Sequence, residues 1–217
     1  MEYNEYRGVR GLVLAEVTKD DSSGYTAGKW EELSGVQAIA VAKNENSETH
    51  FYDNLAAIVV DAEGADELTI TVSILANKTR AKIDGVEYDE TQNMIVNTPK
   101  RKKYFALGYI GEKTDGTEEF NILYKGKFSG GGETHNTKDD GTEATNVEYT
   151  FTAVHTTAKI YTVSGTGETA VKSPAKSVKV PASNKVTEAA VFGTFTAGVS
   201  TVDVLTPDKI KALTAAS

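Results

Sequence analysis

Cysteine is absent from this chain of 217 residues, which removes both a disulfide framework and any thiolate metal site. That absence is consistent with assembly in a reducing cytoplasm. Proline occurs 4 times and tryptophan once, as Trp30, so there is little material for proline-rich segments or for an aromatic sugar platform. No apolar run approaches the roughly 20 residues needed to cross a bilayer. The opening residues Met1 to Arg7 are acidic and polar, where a secretory leader is basic and then apolar. The sequence therefore predicts neither a cleaved leader nor a membrane span. Positive charge is also in deficit: 23 Lys and Arg stand against 31 Asp and Glu, a formal net charge of −8. Proteins that grip nucleic acid through its phosphates need a basic surface.

Catalytic signatures are missing too. His50, His135 and His155 are scattered, with none at a metal-ligand spacing from another. Gly130-Gly131-Gly132 is followed by Glu133 and Thr134, not by the Gly-Lys-Ser/Thr that opens a phosphate-binding helix. Four acidic doublets, Asp20-Asp21, Glu31-Glu32, Glu118-Glu119 and Asp139-Asp140, read as turn or loop-edge residues. Neighbours in sequence are not carboxylates facing each other across a cleft, as glycoside hydrolysis requires. The expectation is a non-enzymatic protein with no catalytic, cofactor or metal residues. One basic run, Lys100-Arg101-Lys102-Lys103, has a sharp reading as a nucleic-acid contact and a plain one as a solvated loop entering a strand at Tyr104. The plain reading is favoured, since lysines near a strand edge also deter stray pairing.

What the chain does contain is strand-forming residues and turn glycines. Leu68, Ile70, Val72 and Ile74 alternate with Thr69, Thr71 and Ser73, the period of two that marks a strand with one buried face. Phe105, Leu107 and Tyr109 repeat it, as do Phe120, Ile122, Tyr124 and Phe128, and Tyr149, Phe151 and Ala153. Weaker strands are expected at Leu12–Val17, Val36–Lys43, Met94–Asn97, Lys159–Val163, Ser177–Val180 and Thr201–Leu205. Asp84-Gly85, Asp115-Gly116 and Asp140-Gly141 supply positive φ for tight turns. Longer loops are expected at Lys19 to Gly24 and Ser129 to Gly132. A short helix is predicted over Asn77 to Asp84, ended by Gly85, while Asp53 to Val60 is open between helix and strand. Gly165 to Lys185, rich in Gly, Ser, Thr, Lys and Ala, reads as a flexible excursion, with a C-terminal strand and arm at 190–217. The fold class is mainly β: an antiparallel sandwich or barrel with one flanking short helix, in a single domain over 1–217.

Several segments, taken in order, resemble the major tail protein family of long, non-contractile-tailed (siphovirus-type) bacteriophages. They are Gly8 to Val17 with Gly28-Lys29-Trp30-Glu31-Glu32-Leu33; Glu48-Thr49-His50-Phe51-Tyr52-Asp53-Asn54-Leu55-Ala56-Ala57; and Glu67 to Leu75 running into the helix and then Gly85-Val86-Glu87-Tyr88-Asp89. They continue with Tyr104-Phe105-Ala106-Leu107-Gly108-Tyr109 before Leu123-Tyr124-Lys125-Gly126-Lys127-Phe128, and end with Val147 to Val154. The resemblance covers roughly residues 7 to 160 and the final strand near Phe192 to Pro207. The stretch near 165–185 departs from the family core, as a surface decoration or a small added module.

The resemblance implies a tail-tube-like β-sandwich assembled as hexameric rings that stack into a hollow conduit for double-stranded DNA. The implied partners are further copies of the chain and other tail proteins, namely tape measure, distal-tail initiator and terminator. The implied location is the virion tail, after assembly in the bacterial host cytoplasm. Asn44 to Asp61, Ser129 to Thr145 and the C-terminal segment are the candidate segments that order on contact with the next ring. Two other readings share the composition: a β-sandwich binding module such as an immunoglobulin-like adhesin or carbohydrate-binding domain, and another phage structural protein such as a tail terminator.

Overall fold

The computed structural model describes residues 3–33, 35–52, 55–135, 137, 146–165 and 169–215, with backbone alone for 46, 50–52 and 55–61. The first strands are β1 (Tyr6–Asp21), β2 (Gly24–Ala27), β3 (Lys29–Glu32), β4 (Val36–Ala42), β5 (Glu45–Tyr52), β6 (Leu55–Glu63) and β7 (Asp66–Val72). Helix α1 (Asn77–Asp84) precedes β8 (Glu87–Asp89), β9 (Met94–Val96), β10 (Phe105–Lys113), β11 (Glu118–Gly130) and β12 (Val147–Ala153). The chain continues through β13 (Tyr161–Ser164), β14 (Val171–Ser173), β15 (Ser177–Pro181), α2 (Glu188–Val191), β16 (Phe195–Thr196), β17 (Val199–Asp203) and α3 (Pro207–Ala215). The protein is mainly β, an antiparallel sheet curled into a half-barrel with a few short helices.

The main sheet runs β16-β17-β3-β1-β10-β11-β12-β7-β4, with β2 joined to β1 and β15 to β11. Strand β11 serves two neighbours along one side. Its residues Glu119 to Leu123 pair with β15, and Gly126 to Gly130 pair with β12. Three small hairpins, β5–β6, β8–β9 and β13–β14, form sheets of their own.

The alternating residues of β1, β10 and β11 feed two separate cores. Leu12 and Leu14 of β1 join Phe105, Leu107, Leu123, Phe128, Phe151 and Ile70 inside the curl. Val13 and Ala15 point the other way, to Trp30, Ala106, Ile110, Phe120, Ile122, Tyr124 and Phe192. This second core is closed by Val186, Val191 of α2, Val204 and Ile210 of α3. Every residue of β10 from Phe105 to Gly111 is consequently buried. A strand covered on both faces has no need of polar residues at alternate positions.

Helix α1 has the bounds expected. Its stripe is thin, as Ala81 and Ile83 are its buried residues, and it ends on Gly85 at φ 70°. A Cβ there would lie 2.6 Å from the Arg101 carbonyl carbon, so both the left-handed backbone and the close approach require glycine. Asp84-Gly85 is thus a helix cap and not a hairpin turn. Asp115-Gly116 does turn between β10 and β11, with Gly116 at φ 81°. Asp140-Gly141 lies outside the described residues.

Several expectations are corrected. Lys19 to Gly24 is not a long loop: β1 runs to Asp21, and Asp21 pairs with Gly24 in a tight hairpin. Ser129 and Gly130 still belong to β11, opposite Thr150 and Tyr149, with Gly130 at φ 88° where the ladder ends. Within the 165–185 stretch, Val171–Ser173 (β14) pairs with β13 and Ser177–Pro181 (β15) is a main-sheet strand on β11, where no strand was expected before Ser177. Two further short helices, α2 and α3, join α1, and α3 occupies the expected C-terminal arm. The segment left open resolves to strand from Leu55 to Glu63, while Asp53 and Asn54 lie outside the described residues.

Close packing makes one glycine a sharp test. Gly126 lies where a Cβ would meet the Phe151 ring and come within 2.6 Å of the Thr152 carbonyl oxygen. Replacing Gly126 with alanine is expected to cost about 1–3 kcal/mol through overpacking. Urea unfolding of the purified variant measures it, and an unchanged midpoint would contradict this packing.

Candidate assembly surface

No helix among the described residues is long and apolar enough to cross a membrane, and no group of three or more metal-capable side chains is found among them. The acidic doublets sit at strand ends, at the loop edges expected: Asp20-Asp21 closes β1, Glu31-Glu32 closes β3 and Glu118-Glu119 opens β11. Asp139-Asp140 lies outside the described residues. Strand geometry separates each doublet, because successive side chains leave opposite faces.

The carboxylates are engaged in structure. Asp20, with a side chain 5% exposed, meets Lys125 Nζ at 2.5 Å and accepts the backbone N–H groups of Thr157 and Ala158 at 2.8–2.9 Å. Burial alone pushes its carboxyl upward, but the donors from Ala158, Lys125 and Thr157 prevail and hold it below the ordinary value. Glu119 accepts from the Tyr6 hydroxyl at 2.7 Å and pairs with Lys113 at 3.2 Å. Glu31 pairs with Lys82 of α1, and Arg80 pairs with Glu133.

The histidines stay apart. His155 follows β12, its Nε2 lying 3.7 Å from Glu63, and the exposed His135 lies 3.6 Å from Glu133. The His50 side chain is outside the described set. In the basic run, Lys102 donates to the Phe128 carbonyl, Lys103 pairs with Glu16 and the Arg101 N–H donates to the Gly85 carbonyl. These contacts tie the run to β1 and β11, where a purely solvated loop was expected, and the run does lead into a strand, β10, at Phe105.

The strand edges are more informative. Strand β15 carries Lys179 and closes on Pro181, and β16 is two residues long; lysine, proline and shortness each discourage pairing with another chain. Strand β4 has none of these guards. Its sequence Val36-Gln37-Ala38-Ile39-Ala40-Val41-Ala42 carries no charge, and it ends the sheet beside β7. A register shift between Val36 and Ala38 turns both Val36 and Ile39 toward the inner core. Ala38, Ala40 and Val41 are left exposed. Sequence reading located this strand but missed its edge position, for which the signal was a charge-free apolar run of uniform small residues.

Beyond β4 the chain leaves the sheet as the β5–β6 hairpin, paired from Glu45↔Glu63 to Tyr52↔Leu55. Eight residues of strand extend about 26 Å. Its ladder hydrogen bonds are internal to the hairpin. The result is a charge-free edge adjoining a projecting β arm. No protein-family model matches the chain, and no curated protein matches it.

Proposed function

We propose that this chain is a self-assembling structural subunit of a siphovirus-type phage tail tube. It polymerises as hexameric rings that stack into a conduit for DNA delivery. The observation that carries this reading is the charge-free edge of β4, which lacks lysine and proline and bears a single register shift at its start. An apolar edge strand is a liability in a monomer and a pairing template in a polymer. A heterologous contact of that kind closes into a ring when the rotation between copies permits. The β5–β6 arm, rooted beside the same edge, is suited to reach a neighbouring copy. The resemblance in segment order supports the reading independently of the edge.

Charge fits transport of DNA. Six copies at −8 each carry −48, and acidic groups on a lumen repel phosphates within a Debye length of about 10 Å at 0.1 M salt. DNA then slides without adhering. Tape measure, initiator and terminator proteins are the further partners, the virion tail is the location, and assembly takes place in the host cytoplasm. No membrane contact is required.

Negative-stain electron microscopy with light-scattering mass tests the proposal directly, and rings or tubes with a central hole are expected. A strict monomer that binds a glycan would instead favour the binding-module reading. The decisive variant is Val41→Lys, at a side chain 47% exposed on β4. A lysine on the edge should abolish rings and tubes, while stability stays within about 0.5 kcal/mol of the parent, as for other surface changes. Normal tubes from this variant would remove β4 from the interface.

A further inference from the structure

Lys176 is a buried cation outside everything assigned above. Its side chain is 5% exposed. The residue precedes β15 and is pinned by its backbone, since its carbonyl accepts the Tyr124 N–H at 3.0 Å. Its ammonium reaches three oxygens: Glu63 Oε1 at 2.5 Å, the Gly64 carbonyl at 3.0 Å and Asp66 Oδ1 at 3.1 Å. All three belong to residues 63–66, where β6 leaves the hairpin and β7 enters the sheet.

The other foot of the hairpin is tied at the same place, where the Gly64 N–H donates to the Asn44 carbonyl at 2.7 Å. Lys43, Glu45 and His155 line the same 230 Å³ cavity as Glu63, Asp66 and Lys176. Lys176 and His155 come from the sheet side, as does Asp66 at the start of β7, and the Glu63 carboxylate comes from the hairpin foot. Burial opposes the Lys176 charge, but the hydrogen bonds it donates to Glu63 and Asp66 prevail and raise its pKa.

A buried ion pair is a poor source of stability, because an apolar residue of similar volume serves as well or better. What three directional acceptors supply is geometry. The β5–β6 hairpin exchanges its ladder bonds internally, so sheet pairing does not set the direction in which it projects. We propose that Lys176 is a latch: held on the sheet by Asp66 of β7, it fixes the direction of the β5–β6 hairpin relative to the main sheet through its contacts to Glu63 and Gly64. The latch acts within one subunit and holds whether or not the chain forms a tube.

The absence of cysteine makes paired spin labelling clean. Labels at Thr49→Cys on β5 and Glu148→Cys on β12, both exposed positions, report the hairpin-to-sheet distance by pulsed electron resonance. Labelled protein is diluted with unlabelled chain, so that only pairs within one subunit contribute. A narrow distribution is expected for the latched protein. Lys176→Met should widen it about twofold, as for an element released to move as a unit, with the β circular dichroism spectrum retained. Should Lys176→Met fail to fold, Glu63→Gln alters a side chain 56% exposed and should widen the distribution to a smaller extent. A width equal to the parent's in the folded variant would overturn the proposal.

Discussion

Replacing Trp30 with alanine is expected to lower the unfolding free energy by about 3–5 kcal/mol, the usual range for truncating a large aromatic core residue. Trp30 is fully buried in the second core, edge-on to Phe192 at 5.4 Å between ring centroids, and Phe192 is edge-on to Phe120 at 5.8 Å. Removing the indole opens a void bounded by β3, β11 and the turn after α2. A loss of that size is a large share of the roughly 5–15 kcal/mol that holds a typical domain together. Trp30→Phe is the informative companion. The indole Nε1 has no hydrogen-bond partner among the described residues, so the phenyl ring loses packing volume while relieving an orphaned donor. Its cost should be clearly smaller than that of alanine. Denaturant unfolding followed by circular dichroism compares the two, because neither variant retains the sole tryptophan. Equal losses would mean that the indole nitrogen is satisfied in solution.

Asp20→Ala should cost a similar amount, about 3–5 kcal/mol, since it strands a partner charge in the interior. Lys125 keeps its ammonium in a side chain 14% exposed, and the N–H groups of Thr157 and Ala158 lose their acceptor. The same carboxylate predicts a pH dependence with a definite sign. Its folded pKa lies below the ordinary 3.8, so the unfolded chain binds the proton more readily. The contribution of Asp20 is fully present above about pH 4 and is lost as pH falls through the folded value. In acid titrations monitored by thermal unfolding, the gap between parent and Asp20→Asn should therefore narrow as pH falls from 5 toward 2. A gap that stays constant across that range would exclude Asp20 as a source of acid sensitivity.

Much of the sheet was legible because strand periodicity is local. Alternation at Leu68–Ile74, Phe105–Tyr109, Phe120–Phe128 and Tyr149–Ala153 located β7, β10, β11 and β12, although β7 ends at Val72 and Ile74 is exposed beyond it, and Gly85 correctly ended α1. What escaped was set by partners distant in sequence. Ala106 and Gly108 look neutral in a strand, and their burial comes from Val13 and Phe192 on the far face. Asp20 reads as loop because Asp and Ser surround it, yet Lys125 and Thr157, more than 100 residues away, make it an interior anchor. Lys176 sits in a stretch of loop-like composition and is buried by carboxylates 110 or more residues earlier. The candidate surface was only half visible: the apolar run of β4 could be seen, but not that the sheet stops there.

The pairing order also dictates when the molecule can fold. Strand β1 pairs locally with β2 and β3 but meets its long partner only at β10, with Tyr6 opposite Lys113, and β3 waits for its second neighbour β17, with Lys29 opposite Asp203. Such distant pairings must meet the entropy of closing long loops before any contact rewards them, which slows folding. At about 5–20 residues per second of translation, β1 is several seconds old before β10 exists. Local pieces can form early: α1, the self-contained hairpins and the β1–β2–β3 pairings. The β4 edge gains its inner backing from β7 within about 30 residues of chain, long before the second core closes. A nascent chain thus presents an apolar strand template earlier than it presents a finished subunit, and in a crowded cell the timing of synthesis, as much as the final shape, governs what that edge meets first.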